Sequence, residues 1–289
     1  MKIIAILACA SALVPPAYAS DHGPAFGYAT PVNSQGECSF DTGVIGRRSF
    51  LGPQLTVSSL VSCGITPHIT LSATLPAVFA SGSLPETRMA GGGEWSSSVA
   101  WRFLHSVTGV GRRVESTASL GLVVPGPQQD SGILANLHRA PGVAATIASG
   151  LASRSQYLWF GAGYTRFAQA GPDRRHDQRP DTLSWSAVYG YRPPRLRRDV
   201  NHWDYRGFAE LTGEHTGHVR SQGLVIPQSQ TTTLWLGPSV LAIFKNIAIE
   251  GGVQAPLYRD VNSSLYGREN LRFVVNLSYL RFSSHTHSH

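Results

Sequence analysis

The feature that leaves this chain fewest ways to fold is a period of two. From residue 37 onward, apolar side chains trade places with small or polar ones over stretches of about ten residues. Near the end, Leu271, Phe273, Val275, Leu277 and Tyr279 share one face, with Arg272, Val274, Asn276 and Ser278 on the other. Val99, Trp101 and Phe103 alternate with Ser98, Ala100 and Arg102, and Val114, Ala118, Leu120 and Leu122 with Arg113, Glu115, Thr117, Ser119 and Gly121. Successive side chains of a strand point to opposite faces, so the pattern predicts half-buried strands. They fall near 37–47, 54–64, 69–79, 93–105, 112–124, 142–153, 156–168, 182–192, 204–216, 230–243, 246–256 and 269–282.

Twelve is an even number, and ten or eleven residues suit a tilted strand crossing a bilayer better than the five or six usual in soluble sheets. Connections after the second, sixth and tenth strands are tight, whereas those after the third, fifth, seventh, ninth and eleventh are long and polar or rich in Pro and Gly. Short turns at one rim and long loops at the other belong to outer-membrane barrels. The long stretch Arg192 to Trp203 stands where a tight turn is expected. In hydrocarbon an open sheet edge leaves backbone groups unpaired at several kcal/mol each, so a spanning sheet must close. The predicted fold is therefore all-β: a single closed antiparallel transmembrane β-barrel of about twelve strands. A soluble β-sandwich also alternates, but accommodates the strand lengths and the embedded arginines less well. Trp95, Trp101, Trp159, Trp185, Trp203, Trp235, Tyr157, Tyr189, Tyr191 and Tyr279 fall mostly near strand ends, where an interfacial girdle is expected.

Composition closes other routes. With 42% hydrophobic residues the chain is no disordered segment, and with Lys only at Lys2 and Lys245 it is no Lys- and Glu-rich bundle. Residues 1–19 read as a signal peptide: basic Met1-Lys2, apolar Ile3 to Val14, and Ala17-Tyr18-Ala19 for cleavage. A lipoprotein variant acylated at Cys9 leaves too short a hydrophobic stretch. Without Lys2, 23 basic residues face 17 acidic ones, a modest balance that points to no nucleic acid. Residues 20–36 form a Pro/Gly-rich lead-in placed in or under the periplasmic mouth, 37–282 the barrel, and 283–289 a His-rich disordered tail.

Several short stretches carry a resemblance. His22-Gly23-Pro24-Ala25-Phe26-Gly27-Tyr28-Ala29-Thr30-Pro31, Ser39-Phe40-Asp41-Thr42-Gly43-Val44-Ile45-Gly46-Arg47, Gly64-Ile65-Thr66-Pro67, Glu115-Ser116-Thr117, Tyr189-Gly190-Tyr191-Arg192-Pro193-Pro194 and Val274-Val275-Asn276 are similar to a poorly characterised family of bacterial outer-membrane barrels. That family is usually labelled a transporter or a phenol-degradation-pathway (MetA-type) channel, often beside metal-handling genes. The resemblance implies an outer-membrane barrel and says little of substrate. One departure is the end: such barrels commonly finish on an aromatic residue, whereas Phe282 is followed by Ser283 to His289.

If the apolar face meets lipid, parity sends Asp41, Glu94, Arg102, Arg113, Glu115, Arg192, Arg206, Glu210, Glu214, Glu250 and Arg272 into the lumen, because a charge facing the bilayer centre costs about 2–4 kcal/mol. Five arginines and six acids can crosslink the wall as ion pairs, or line a polar solute path, or do both. Arg166 lies on a strand whose parity is ambiguous. Glu210 and Glu214 share a face about 13 Å apart at 3.3 Å per residue. That exceeds the widest glycosidase spacing of about 9.5 Å, so a structural ladder with Arg206 is expected instead. Cys38 and Cys63 stand opposite in a symmetric first hairpin, leaving open a disulfide or two free thiols. His285, His287 and His289 could chelate a divalent ion or end a plain polar tail. His215 and His218 make at most a weak pair.

The functional reading is a bacterial outer-membrane channel or transporter-like barrel that passes small solutes through a lumen lined by Arg, Glu, Ser and Thr. Its long outer loops, 125–141 and 169–181, restrict access. It is not an enzyme and needs no cofactor; its partners are membrane lipid, small solutes and the barrel assembly machinery. The alternatives are a structural or adhesive surface protein, and a lipid-modifying enzyme built on a serine with His105 or His215.

Overall fold

A computed structural model describes residues 23–30, 32–49, 52–80, 90–91, 93–125, 140–168, 178–196, 201–221, 223–261 and 269–281. Twelve long strands form its wall: β1 (Cys38–Ser49), β2 (Gly52–Thr66), β3 (Ile69–Ala80), β4 (Glu94–Gly109), β5 (Arg112–Pro125), β6 (Gly142–Ser153), β7 (Gln156–Phe167), β8 (Thr182–Tyr191), β9 (Asp204–Thr216), β10 (Thr231–Phe244), β11 (Ile247–Val261) and β12 (Leu271–Arg281). Each pairs antiparallel with its sequence neighbours. The ring closes because β1 pairs with β12 from Cys38↔Arg281 to Arg48↔Leu271 while it also pairs with β2. No edge is left, which is what a hydrocarbon environment demands of a sheet.

The shortest wall strand has 10 residues and the longest 16. Even the shortest falls within the roughly 9–11 residues that a tilted strand needs to cross the hydrocarbon core. The weakest seam is β3 to β4, whose register ends at Thr74↔Ser96. Two residues further along β3 stands Pro76, which has no N–H to give to a ladder. Of the five two-residue connections, four, β2–β3, β4–β5, β6–β7 and β10–β11, share one rim, and β1–β2 lies at the other. The longer connection between β8 and β9 joins the rim of those four, and its described residues include a 3-10 turn, Pro194–Leu196.

Alternation sorts the faces. On β12, Phe273, Val275, Leu277 and Tyr279 are 38–53% exposed, whereas Val274, Asn276, Ser278 and Leu280 are 1–8% exposed. A continuous apolar exterior of this extent is stable only against lipid. Polar groups on it satisfy one another across strands, as Ser116 does with Ser149 and His215 Nδ1 with Thr232 Oγ1 at 2.8 Å.

The aromatic girdle needs correction. Trp95, Trp101, Tyr189, Tyr191 and Tyr279 face outward, but Trp159, Trp235 and Tyr157 are buried inside the barrel. Strand β7 bears aromatics on both faces: Tyr157, Trp159 and Phe167 inward, and Phe160 and Tyr164 outward. Hydrophobicity alone cannot set the parity of such a strand. Geometry does, and it turns Arg166 to the exterior, next to Tyr164 and Phe167 in sequence.

Candidate functional site

The lead-in, not the wall, organises the interior. From the short-turn rim, where Gln35 bridges Gly64 and Asn33 bonds Thr70 and Ser62, the described residues 32–36 and 23–30 rise through the lumen. Thr117 donates to the Thr30 carbonyl at 2.7 Å. Tyr28 N–H donates to Ser186 Oγ at 2.8 Å, and its hydroxyl meets Ser184 Oγ at 2.5 Å. At the top, Ala25, Phe26 and Gly27 turn three successive N–H groups onto the Glu210 carboxylate at 2.9, 2.8 and 2.7 Å, and Ser239 donates a fourth bond. A buried carboxylate is tolerable only when so compensated.

The wall makes room for this segment with small inward residues. On β7 the inward positions 161 and 163 are glycines, and a methyl group at either would overlap Tyr28. Gly27 in turn passes so close to Val188 that no side chain fits. The parity of Gly161-Ala162-Gly163 on one strand is the sequence signal of an occupied lumen, and alternation analysis alone passes over it.

Charges lie in layers along the axis. Towards the long-loop rim, Glu94 is ion-paired with Arg179, whose guanidinium stacks 3.9 Å from the Phe167 ring. Arg47 pairs with Glu269 at 3.0 Å. Arg272 bonds Gln254 and Thr212 and lies 4.7 Å from the Trp235 ring and 5.2 Å from Phe26. Glu214 lines the same small pocket as Arg47 and Arg272. At the level of Glu210, Asp41 and Glu250 add two more carboxylates, each with one buried oxygen lacking a hydrogen-bond partner among the described residues. At the short-turn rim, Glu115 gathers Arg102 at 3.2 Å, Arg113 at 3.2 Å and His105 at 2.9 Å. There too, Asp204 holds Arg192 at 2.6 Å and Arg206 at 3.0 Å.

All eleven sequence-derived lumen residues lie on inward positions, but they do not form one continuous ladder. Arg206 turns back to Asp204, not to Glu210 as expected, because the lead-in's N–H groups occupy that carboxylate. Arg47, Arg179 and Asp204 are inward charges that the alternation analysis did not single out; the last two flank strand ends, where parity is hard to assign. Cys38 and Cys63 stand directly opposite in register and are bonded to each other, on the outward face near the short-turn rim. His105 takes Glu115 as partner and His215 takes Thr232. Residues 1–19, the tail 283–289 with His285, His287 and His289, and most of both long outer loops lie outside the described residues.

No family model matches the chain, and no curated protein matches it. Solved structures do. The COG4313 outer membrane channel from Pseudomonas putida F1 superposes with a TM-score of 0.58 at 12% identity, covering 90% of this chain and 99% of that one. The NanC porin gives a TM-score of 0.51 at 9% identity, covering 83% of this chain and 98% of that one. The fold is that of outer-membrane channel barrels. At such low identity the likeness carries architecture alone, and solute preference has to be argued from the side chains.

Proposed function

We propose that the chain is an outer-membrane channel for small solutes, of the phenol-degradation-pathway type that its short motifs resemble, with its N-terminal lead-in as the element that sets the bore. The observation carrying this reading is the hydrogen-bonded passage of residues 25–30 and 32–33 through an otherwise polar lumen. A barrel of twelve strands lies between filled eight-stranded and open sixteen-stranded examples, so one extended segment is enough to narrow it decisively. Asp41, Glu94, Arg102, Arg113, Glu115, Arg192, Arg206, Glu210, Glu214, Glu250 and Arg272 would form the polar path. A solute would meet the Arg47/Arg272 layer before the lead-in and the Arg102/Arg206 layer after it. Placement in the outer membrane puts the short-turn rim in the periplasm and the long loops outside. It also makes membrane lipid and the assembly machinery the partners of the finished and the nascent wall.

The test is conductance in planar bilayers. The intact mature protein should give small, brief events, and deletion of residues 20–36 should give larger, sustained ones. A silent membrane with both proteins would overturn the channel reading and favour a structural or adhesive role. Lipid hydrolysis that disappears on replacing His105 or His215 would favour an enzyme.

A further inference from the structure

Beneath the lead-in, at the short-turn rim, lies a cavity of about 730 Å³. Six arginines converge on it: Arg102, Arg112, Arg113, Arg154, Arg192 and Arg206. Only Glu37 and Glu115 answer them within its lining. Asp204, behind Arg192 and Arg206, is a third carboxylate and still leaves three positive charges uncompensated. Arg112, at the start of β5, and Arg154, in the β6–β7 turn, have no ion pair among the described residues. A wall that only needed crosslinking would match each arginine with an acid. This one accumulates donors.

A second observation points the same way. Among the buried side-chain polar atoms that have no hydrogen-bond partner within the described residues, two are N–H donors, Arg102 Nε and Trp159 Nε1. Both residues line this cavity. A buried donor without an acceptor costs free energy that an incoming acceptor recovers. The remaining unpartnered atoms are oxygens of carboxylates or of Thr30, and none of their residues lines this cavity. Trp159 stacks on Tyr157 at 5.2 Å, and Arg206 sits 5.7 Å from the Tyr157 ring, so an aromatic floor lies below the guanidinium groups. Asn33 and Ser34 of the lead-in form part of the wall.

We propose that this vestibule is a binding site for a small oxyanion, a carboxylate or phosphate of solute size. Guanidinium groups recognise either through paired N–H bonds, and the low-dielectric aromatic floor strengthens the attraction. The site lies inside the ring, so its ligand is a free solute, not a headgroup of the surrounding bilayer. Binding needs no conducting pore, and a silent bilayer would leave the proposal standing.

The experiment is titration calorimetry on the purified full-length barrel in an uncharged detergent, with benzoate and inorganic phosphate as probes and neutral benzamide as control. At least one oxyanion should bind saturably, and more weakly as ionic strength rises from roughly 0.05 to 0.3 M. The exposed pair Arg112→Gln/Arg154→Gln should weaken that binding about tenfold. Trp159→Phe, which keeps a ring but removes the N–H, should weaken it too, while leaving the heat-modifiable gel mobility of the folded barrel unchanged. The proposal is overturned if neither oxyanion binds saturably, if benzamide binds as tightly, or if the correctly folded double variant binds as the parent does.

Discussion

Replacing Glu210 by alanine tests the link between the lead-in and the bore most directly. Three backbone N–H groups converge on this carboxylate within 2.9 Å, and a hydrogen bond to a charged acceptor contributes about 1.5–3 kcal/mol. The three together give roughly 4.5–9 kcal/mol. Part of that offsets the cost of holding a fully buried anion near the Asp41 and Glu250 carboxylates, a cost of several kcal/mol. The net anchoring lost is therefore about 3–4 kcal/mol, which shifts the seated-to-released ratio of residues 25–27 by roughly two to three orders of magnitude. Glu210→Gln keeps one oxygen, and two of the three N–H bonds fall on a single carboxylate oxygen, so its effect should be intermediate. Ala25 is 5% exposed, which makes Ala25→Cys a reporter. A membrane-impermeant maleimide should label it slowly in the parent, faster with Glu210→Gln and fastest with Glu210→Ala, and conductance should rise in the same order. Labelling within about twofold of the parent for Glu210→Ala would refute the anchoring argument.

Three further outcomes follow from the same geometry. Cys38 and Cys63 close a segment of 25 residues, so the bond should stabilise the barrel by about 3.5 kcal/mol. Reduction should add two mass units and lower the temperature at which the folded band disappears on gels, and Cys38→Ala should leave one alkylatable thiol. Gly163→Ala should crowd the Tyr28 hydroxyl and loosen the lead-in at a cost of about 1–3 kcal/mol. Adding Tyr28→Phe should restore slow labelling of Ala25→Cys, an outcome that a general wall defect would not produce. Val275→Arg at the outward centre of β12 should destabilise the folded protein in vesicles by about 2–4 kcal/mol in urea titrations.

The wall was legible in the sequence because its two faces meet different solvents. Lipid outside selects Phe273, Val275 and Leu277, and the lumen selects Asn276 and Ser278, so one strand states both the element and its orientation. The opposition of Cys38 and Cys63 was legible for a related reason, since a symmetric hairpin pairs residues whose numbers have a constant sum, and β1 and β2 adopt that register. Where both faces are apolar the signal fails, which is why Trp159 and Trp235 were assigned to a girdle when they belong to the interior. Partners of the inward charges were less legible still. Parity tells which way Glu210 points, but its acceptors are used by Ala25, Phe26 and Gly27, 183 to 185 residues earlier, and no period connects the two segments.

The wall and the segment inside it are held by energies of different kinds. Each wall strand is bonded on both sides, most of them along most of their length, so no single strand can leave without unpairing two ladders. The lead-in instead hangs from a few separated points: Asn33 and Gln35 near the short-turn rim, Thr30 and Tyr28 in between, Glu210 at the top. Loss of the uppermost point leaves the lower ones intact. Residues 25–27 can therefore be released while Gln35 and Asn33 keep the segment attached, and the barrel itself stays closed. On the channel reading proposed above, that separation of energies would let a narrow, filled lumen change its bore without unfolding, with the Glu210 carboxylate on β9 as the point of control.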